Sequence, residues 1–143
     1  MKRLSHPSQV CCSGLPWPHD NQNLINLAGK FHGDLPEGIR DYLKGRGVTN
    51  EVIDLNLIGW NGWRITIPIF NREGELLFFK QARDPEDKNE SPKMIAWPKG
   101  HMELYGWDNL IEKPSEIIIC EGEFDGSHLY LPSAAPSFTA TSM

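Results

Sequence analysis

The sequence predicts an α/β fold (α+β) with helices first, then an antiparallel hairpin, then the beginning of a parallel sheet. Three observations predict it. Apolar residues recur at helical spacing over residues 36–57. An alternating, β-branched run at residues 64–70 and a second strand-like run at residues 75–83 flank a glycine turn. The run at residues 116–120, Glu-Ile-Ile-Ile-Cys, is continuously apolar from residue 117 and is typical of a strand buried on both faces, as in parallel sheets.

The first element is an irregular leader, residues 1–33, rich in Pro, Gly, Ser and Asn and without periodicity. This composition allows a short helical turn around residues 23–28 and no more. The leader holds four candidate zinc ligands: His6, Cys11, Cys12 and His19. They form no C-x-x-C or H-x-x-x-H pair, so zinc is not expected in this chain.

A helix pair follows the leader. Asp34 can cap the first helix, Pro36 suits its first turn, and Gly45 ends it. Thr49 can cap the second helix. The apolar faces of the two helices consist of Ile39, Tyr42, Leu43, Val52, Ile53 and Leu57. By itself, this pattern indicates only a helical hairpin that packs on a neighbour.

A β-hairpin is predicted next. Its strands are residues 64–70 and 75–83, and Asn71–Gly74 forms the turn between them. Pro68 lies inside the first strand and lacks an N–H group, which predicts an edge strand or a bulge at this position.

Shorter elements follow the hairpin. Residues 84–92, D-P-E-D-K-N-E-S-P, read as a charged and mobile loop. Residues 94–96 read as a short strand, and residues 104–107 as a turn or a short helix. The last eleven residues carry little pattern and are expected to fray.

Three carboxylates follow the apolar run directly: Glu121, Glu123 and Asp125. Ligands bind at the carboxyl ends of strands in open α/β sheets. Clustered carboxylates repel one another unless a cation compensates, and Mg²⁺ is the usual cation for oxygen ligands. The same pattern also occurs in an ordinary strand-to-helix turn.

Basic residues recur upstream with aromatic residues between them. The candidate contacts for nucleotide or nucleic-acid phosphates are Arg64, Lys80, Arg83, Lys93 and Lys99. Trp60, Trp63, Trp97 and Trp107 could stack on bases. The alternatives are a mixed-charge sheet surface and aromatic packing in the core.

Composition narrows the function classes. The formal net charge of −5 excludes a globally basic nucleic-acid coat but not a local basic patch. No apolar stretch approaches the roughly 20 residues of a membrane span, so no membrane partner is expected. An odd count of three cysteines argues against a disulfide framework and favours a reducing, cytoplasmic setting.

The order of the motifs is more specific than any single one. Y-L-K-G-R-G-V precedes R-I-T-I-P-I-F-N-R-E-G and F-F-K-Q-A-R, and then come P-K-M-I, K-G, L-Y-G and I-I-I-C-E-G-E-F-D. Over residues 36–125 this order resembles the RNA polymerase core of bacterial and phage DNA primases, entering its Toprim domain. The resemblance divides the chain into a leader (1–33), a primase-core N-terminal subdomain (34–110), an incomplete Toprim start (111–131) and a frayed tail (132–143).

The resemblance implies RNA primer synthesis on single-stranded DNA during replication. Glu121 and Asp125 would be catalytic, and Glu121 would lie at a Mg²⁺ centre. Lys93, Lys99 and Arg83 would hold nucleotide or template phosphates, and Arg64 matches the arginine that opens the first hairpin strand. The implied partners are a single-stranded DNA template, ribonucleotides and a replicative helicase, in a bacterial or phage-infected cell.

The chain departs from the family pattern in several places. No zinc-binding domain precedes residue 36, Lys93-Met94 replaces the usual Lys-Tyr, and no aspartate follows Asp125. Because two-metal chemistry needs several carboxylates, we expect an incomplete piece of such an enzyme. Two alternatives stay open: a nucleic-acid-binding remnant of that core, or another Toprim protein of the nuclease or topoisomerase kind.

Overall fold

The computed structural model describes residues 21–99, 103–107, 118–124 and 137–141. Its elements are α1 (Asn21–Gly33), α2 (Glu37–Gly45), α3 (Asn50–Leu55), β1 (Gly59–Trp60), β2 (Arg64–Phe70), β3 (Leu76–Arg83), β4 (Met94–Trp97), β5 (Glu103–Tyr105), β6 (Ile118–Cys120) and β7 (Ser137–Thr141). The strands form one sheet in the order β1-β2-β3-β4 and another in the order β5-β7-β6. The predicted α+β class is confirmed.

The hairpin β2–β3 is the centre of the first sheet, as predicted, and β4 adds the expected short strand beside β3. Pro68 sits in β2, which has neighbours on both sides, but β1 pairs only with Ile65 and Thr66. The Arg64 carbonyl accepts a hydrogen bond from the Asn61 N–H and so points toward β1. Backbone groups of every second strand residue point in the same direction, so the backbone of Pro68 also faces the β1 side. Pro68 therefore lies beyond the end of β1, at a local edge, and the predicted bulge falls one residue later, between Ile69 and Phe70.

Helices α2 and α3 cover one face of this sheet. The buried residues of this core are Ile39, Leu43, Val52 and Ile53 from the helices, and Ile65, Ile67, Ile69 and Phe78 from the hairpin. Thr49 caps α3 as predicted, because its side chain accepts a hydrogen bond from the Val52 N–H. The Asp34 cap is wrong: α2 begins after Pro36 without a side-chain cap, and the Asp34 N–H bonds to the last turn of α1.

Helix α1 covers the other face, and the predicted irregular leader is wrong over residues 21–33. Leu24, Ala28 and Phe31 are buried one or two turns apart on the helix and pack against β3. The Phe31 and Phe79 rings meet edge to face, with centroids 5.6 Å apart. None of the helices in the described ranges is long and apolar enough to cross a membrane.

The end of α1 crosses β1 at very short distance. A Cβ atom at Gly59 would lie 2.4 Å from the Phe31 carbonyl carbon and 2.6 Å from the His32 nitrogen, so only glycine fits here. His32 Nδ1 lies 2.8 Å from the Ile58 carbonyl oxygen, and its Nε2 lies 3.3 Å from an Asp54 carboxylate oxygen. These contacts tie α1 to β1 and α3.

The second sheet joins three distant segments. The predicted parallel pairing is confirmed, since β6 runs parallel to β7. Burial on both faces is wrong for Ile119, which is 73% exposed. The frayed tail is wrong for residues 137–141, which form β7, and the turn or helix expected at residues 104–107 begins as strand β5.

Candidate functional site

A cleft of about 540 Å³ lies between α2, one end of the first sheet and the segment after β6. Its lining residues are Tyr42, Arg46, Ile65, Ala82, Arg83, Asp84, Pro85, Lys93, Met94, Gly122, Glu123 and Phe124. The cleft thus brings two of the predicted cations, Arg83 and Lys93, together with residues of the predicted acidic segment, residues 121–125.

The strand register places cationic residues in a row at this end of the sheet. Arg64 pairs with Arg83 across the hairpin. The Arg83 N–H in turn donates a hydrogen bond of 2.9 Å to the Lys93 carbonyl, which extends the β3–β4 pairing by one residue. Three of the five predicted phosphate-binding residues therefore lie side by side, on β2, on β3 and directly before β4.

Two of these three cations also hold the charged loop of residues 84–92. Arg64 donates to the Pro92 carbonyl at 2.9 Å and to the Ser91 hydroxyl at 3.1 Å. Arg83 donates to the Asn89 and Ser91 carbonyls at 3.2 and 3.1 Å. The loop expected to be mobile is thus fixed by four hydrogen bonds at its C-terminal half. Lys93 is exposed beside it.

Asp87 organises the same loop from within. Its carboxylate accepts hydrogen bonds from the Ser91 hydroxyl at 2.7 Å and from the Asn89 backbone N–H at 2.8 Å. The Ser91 hydrogen bond, followed by the Asn89 backbone bond, lowers the pKa of Asp87 below its ordinary value. The loop is therefore stabilised by the ionised form of Asp87, and this contribution is lost as the pH falls through that lowered pKa.

The acidic segment contains one exposed and one buried carboxylate within the described ranges. Glu121 is exposed at the carboxyl end of β6. Glu123 is buried, and its Oε1 lies 3.3 Å from the Nζ of Lys80, which is buried as well. The ammonium of Lys80 is therefore placed to compensate the charge of Glu123. Asp125, the third predicted carboxylate, lies outside the described residues.

Lys80 differs from the other predicted cations. It pairs with Ile67 in the strand register and so lies on the face that α2 and α3 cover. With 7% of its surface exposed and its ammonium against Glu123, Lys80 links β3 to the acidic segment. Lys99 is exposed after β4 and is not part of the cleft lining.

Arg46 is a cleft residue to which the sequence analysis assigned no role. Its guanidinium carbon lies 5.1 Å from the centre of the Phe124 ring and 6.0 Å from that of Tyr42, and its Nη1 donates to the Tyr42 hydroxyl at 3.2 Å. The sequence feature that could have pointed to Arg46 is its position between two glycines in K-G-R-G-V, where α2 ends. Arg46 therefore brings a cation from α2 to the acidic segment.

The tryptophans separate into packed and exposed ones. Trp60 is half-buried against the core, and Trp97 packs on Phe79 with ring centres 6.0 Å apart. The Trp107 indole N–H donates to a Glu103 carboxylate oxygen at 2.6 Å. Trp63, by contrast, is 72% exposed.

Comparison with solved structures identifies the fold. The chain is similar to the Escherichia coli primase catalytic core, with a TM-score of 0.71 and 19% identity over 86% of this chain and 55% of that one. It is similar to the RNA polymerase domain of Mycobacterium tuberculosis primase DnaG, with a TM-score of 0.68 and 15% identity over 87% and 58%. A DnaG primase catalytic domain bound to single-stranded DNA gives a TM-score of 0.69 and 18% identity over 86% and 55%.

No protein-family profile and no curated protein matches the chain. The chain spans about half the length of the primase cores it matches. At such low identity the likeness concerns the fold. The two-sheet architecture that holds the cleft against residues 121–124 is therefore similar to the fold of DNA primase catalytic cores over about half of their length.

Proposed function

We propose that this chain is part of a DNA primase-type protein, which makes short RNA primers on single-stranded DNA during replication. One observation carries the proposal. In a fold shared with primase catalytic cores, the cleft gathers Arg46, Arg83 and Lys93 from three separate elements beside the acidic segment. Cations from separate elements at one cleft are suited to the phosphates of a nucleic-acid backbone.

The cleft cations have different chemistry. Lys93 is an exposed point charge, whereas Arg46 and Arg83 present planar forks that can hold a phosphate by two hydrogen bonds. Arg64 and Arg83 also donate hydrogen bonds to the loop of residues 84–92, and these bonds hold the shape of the loop. In this proposal the cleft binds the template or the incoming ribonucleotide, and a replicative helicase acts on the same DNA in the cytoplasm.

The catalytic part of the proposal rests on Glu121 and, by resemblance, Asp125. Primer synthesis by this fold would use a divalent metal ion such as Mg²⁺ to offset phosphate charge. Within the described ranges no three His, Cys, Asp or Glu side chains form a metal-holding group, and Glu123 is already paired with Lys80. The described residues alone do not fit a magnesium centre, so no step is derived through the metal.

A second candidate function is nucleic-acid binding without turnover. It is favoured by the composition of the cleft, because the described lining includes the cations Arg46, Arg83 and Lys93, whereas the exposed carboxylate of Glu121 is not part of that lining. Binding through Lys, Arg and Trp needs no metal ion, whereas primer synthesis does. Magnesium dependence therefore distinguishes the two functions.

Replacing Lys93 by alanine is expected to weaken binding of single-stranded DNA roughly tenfold at 0.1 M salt, because one phosphate contact is lost. The slope of log affinity against log salt concentration should fall by about 1. Fluorescence anisotropy of a labelled oligothymidine at several salt concentrations measures both. Lys30→Ala, an exposed lysine of α1, is the matched control and should change neither. Equal losses in both variants would contradict the assignment of the cleft.

Replacing Glu121 by glutamine tests the catalytic part. If the chain incorporates ribonucleotides on a single-stranded template, Glu121→Gln should lower the rate at least about a hundredfold, while Glu73→Gln, an exposed control in the hairpin turn, should not. DNA binding should survive in both variants. Wild-type binding without any incorporation in the presence of Mg²⁺ would favour the binding-only function.

A further inference from the structure

The turn between β1 and β2 holds an exposed tryptophan in a fixed position. The Asn61 side-chain oxygen accepts hydrogen bonds from the Trp63 N–H at 3.0 Å and from the Arg64 N–H at 2.8 Å. The Asn61 N–H donates to the Arg64 carbonyl, and Gly62 supplies the left-handed backbone with φ of +98°. The backbone of Trp63 is therefore fixed before any ligand arrives.

Trp63 is also adjacent in sequence to a cationic residue. It directly precedes Arg64, the first member of the row that continues through Arg83 and Lys93. Trp63 is 72% exposed, whereas Trp60, Trp97 and Trp107 pack or donate within the fold. An aromatic platform beside a row of cations is the combination by which proteins bind single-stranded nucleic acid without reading its sequence.

We propose that Trp63 is a stacking platform for a base of single-stranded nucleic acid, whose phosphates follow the cationic row. This inference rests on the proposed nucleic-acid-binding function and adds the specific contact. A fixed turn reduces the entropy lost when the ring stacks, because only the two side-chain torsions of Trp63 remain to be ordered. Stacking contributes no net charge, so its effect on binding should not depend on salt.

The test is binding of fluorescein-labelled dT12 to the full chain, measured by anisotropy at 50 and 200 mM salt. Trp63→Ala should weaken binding about 5- to 150-fold at both salt concentrations. Trp63→Phe should stay within about threefold of the wild type, because phenylalanine also stacks. Leu55→Ala removes a comparably exposed apolar side chain, 57% exposed on α3, and should leave the affinity unchanged.

The outcomes separate this inference from the proposed function. If the wild type binds dT12 and Trp63→Ala binds equally well, the stacking role is overturned. The exposed side chain of Trp63 would then be assigned to contact with another protein. If Trp63→Phe loses as much as Trp63→Ala, stacking is overturned too. If the wild type does not bind dT12 at either salt concentration, the proposed function fails together with the inference. Thermal unfolding should be the same for all four proteins, since both side chains are exposed.

Discussion

Replacing Lys80 by methionine is expected to lower the free energy of unfolding by about 3–5 kcal/mol, because the buried carboxylate of Glu123 would lose the ammonium that faces it. Both side chains are below one tenth exposed and their charged atoms lie 3.3 Å apart. Urea denaturation at neutral pH, followed by circular dichroism, measures the change.

The double variant Lys80→Met with Glu123→Leu distinguishes the ion pair from simple packing. A buried pair replaced by apolar side chains of similar volume is often neutral in stability, so the double variant should recover most of the loss. Lys30→Met, an exposed lysine, should change the free energy of unfolding by no more than about 0.5 kcal/mol. A double variant as unstable as the sum of its single variants would show that Lys80 and Glu123 do not interact in solution.

Replacing Gly59 by alanine is expected to lower the free energy of unfolding by about 3 kcal/mol or more, at or above the upper end for overpacking. The added Cβ atom would lie 2.4 Å from the Phe31 carbonyl carbon, and backbone cannot rotate away as a side chain can. Helix α1 would have to leave the sheet or shift along it. Guanidinium denaturation measures the loss.

Gly29→Ala is the matched control for that variant. Gly29 lies in α1, and a Cβ atom there would meet nothing within 4 Å. Alanine at a helical position without steric conflict should stabilise by about 0.5–1 kcal/mol. If Gly59→Ala proved as stable as the wild type, α1 would not be docked on β1 as described.

The hairpin could be predicted from the sequence because its signals are local. Residues 64–70 alternate, residues 76–83 begin with an apolar run, and a glycine turn separates the two segments, so the strands and their pairing follow from neighbouring residues. The parallel pairing of β6 was predicted from its apolar composition, but composition does not say how many neighbours a strand has. Ile119 is apolar and still 73% exposed.

Helix α1 could not be predicted with the same rules because its helix propensity is ordinary and its stability comes from packing. Leu24, Ala28 and Phe31 follow helical spacing, a weak signal beside the Pro- and Gly-rich residues before them. The candidate site likewise has features that local sequence predicts and features that depend on tertiary contacts. Arg83 and Lys93 were predicted to act together and do meet in the cleft, whereas the inward position of Lys80 and the contribution of Arg46 depend on contacts between distant segments.

The docking of α1 determines where the polypeptide can be divided in the laboratory. A fragment that starts at residue 34, where the pattern of the sequence changes, would leave Leu76 and Phe79 uncovered, although they are now 1% and 0% exposed. Uncovered apolar surface of this kind promotes self-association and low solubility on expression. Expression fragments and domain fusions should therefore begin at or before Asn21, so that the sheet keeps the helix that shields it.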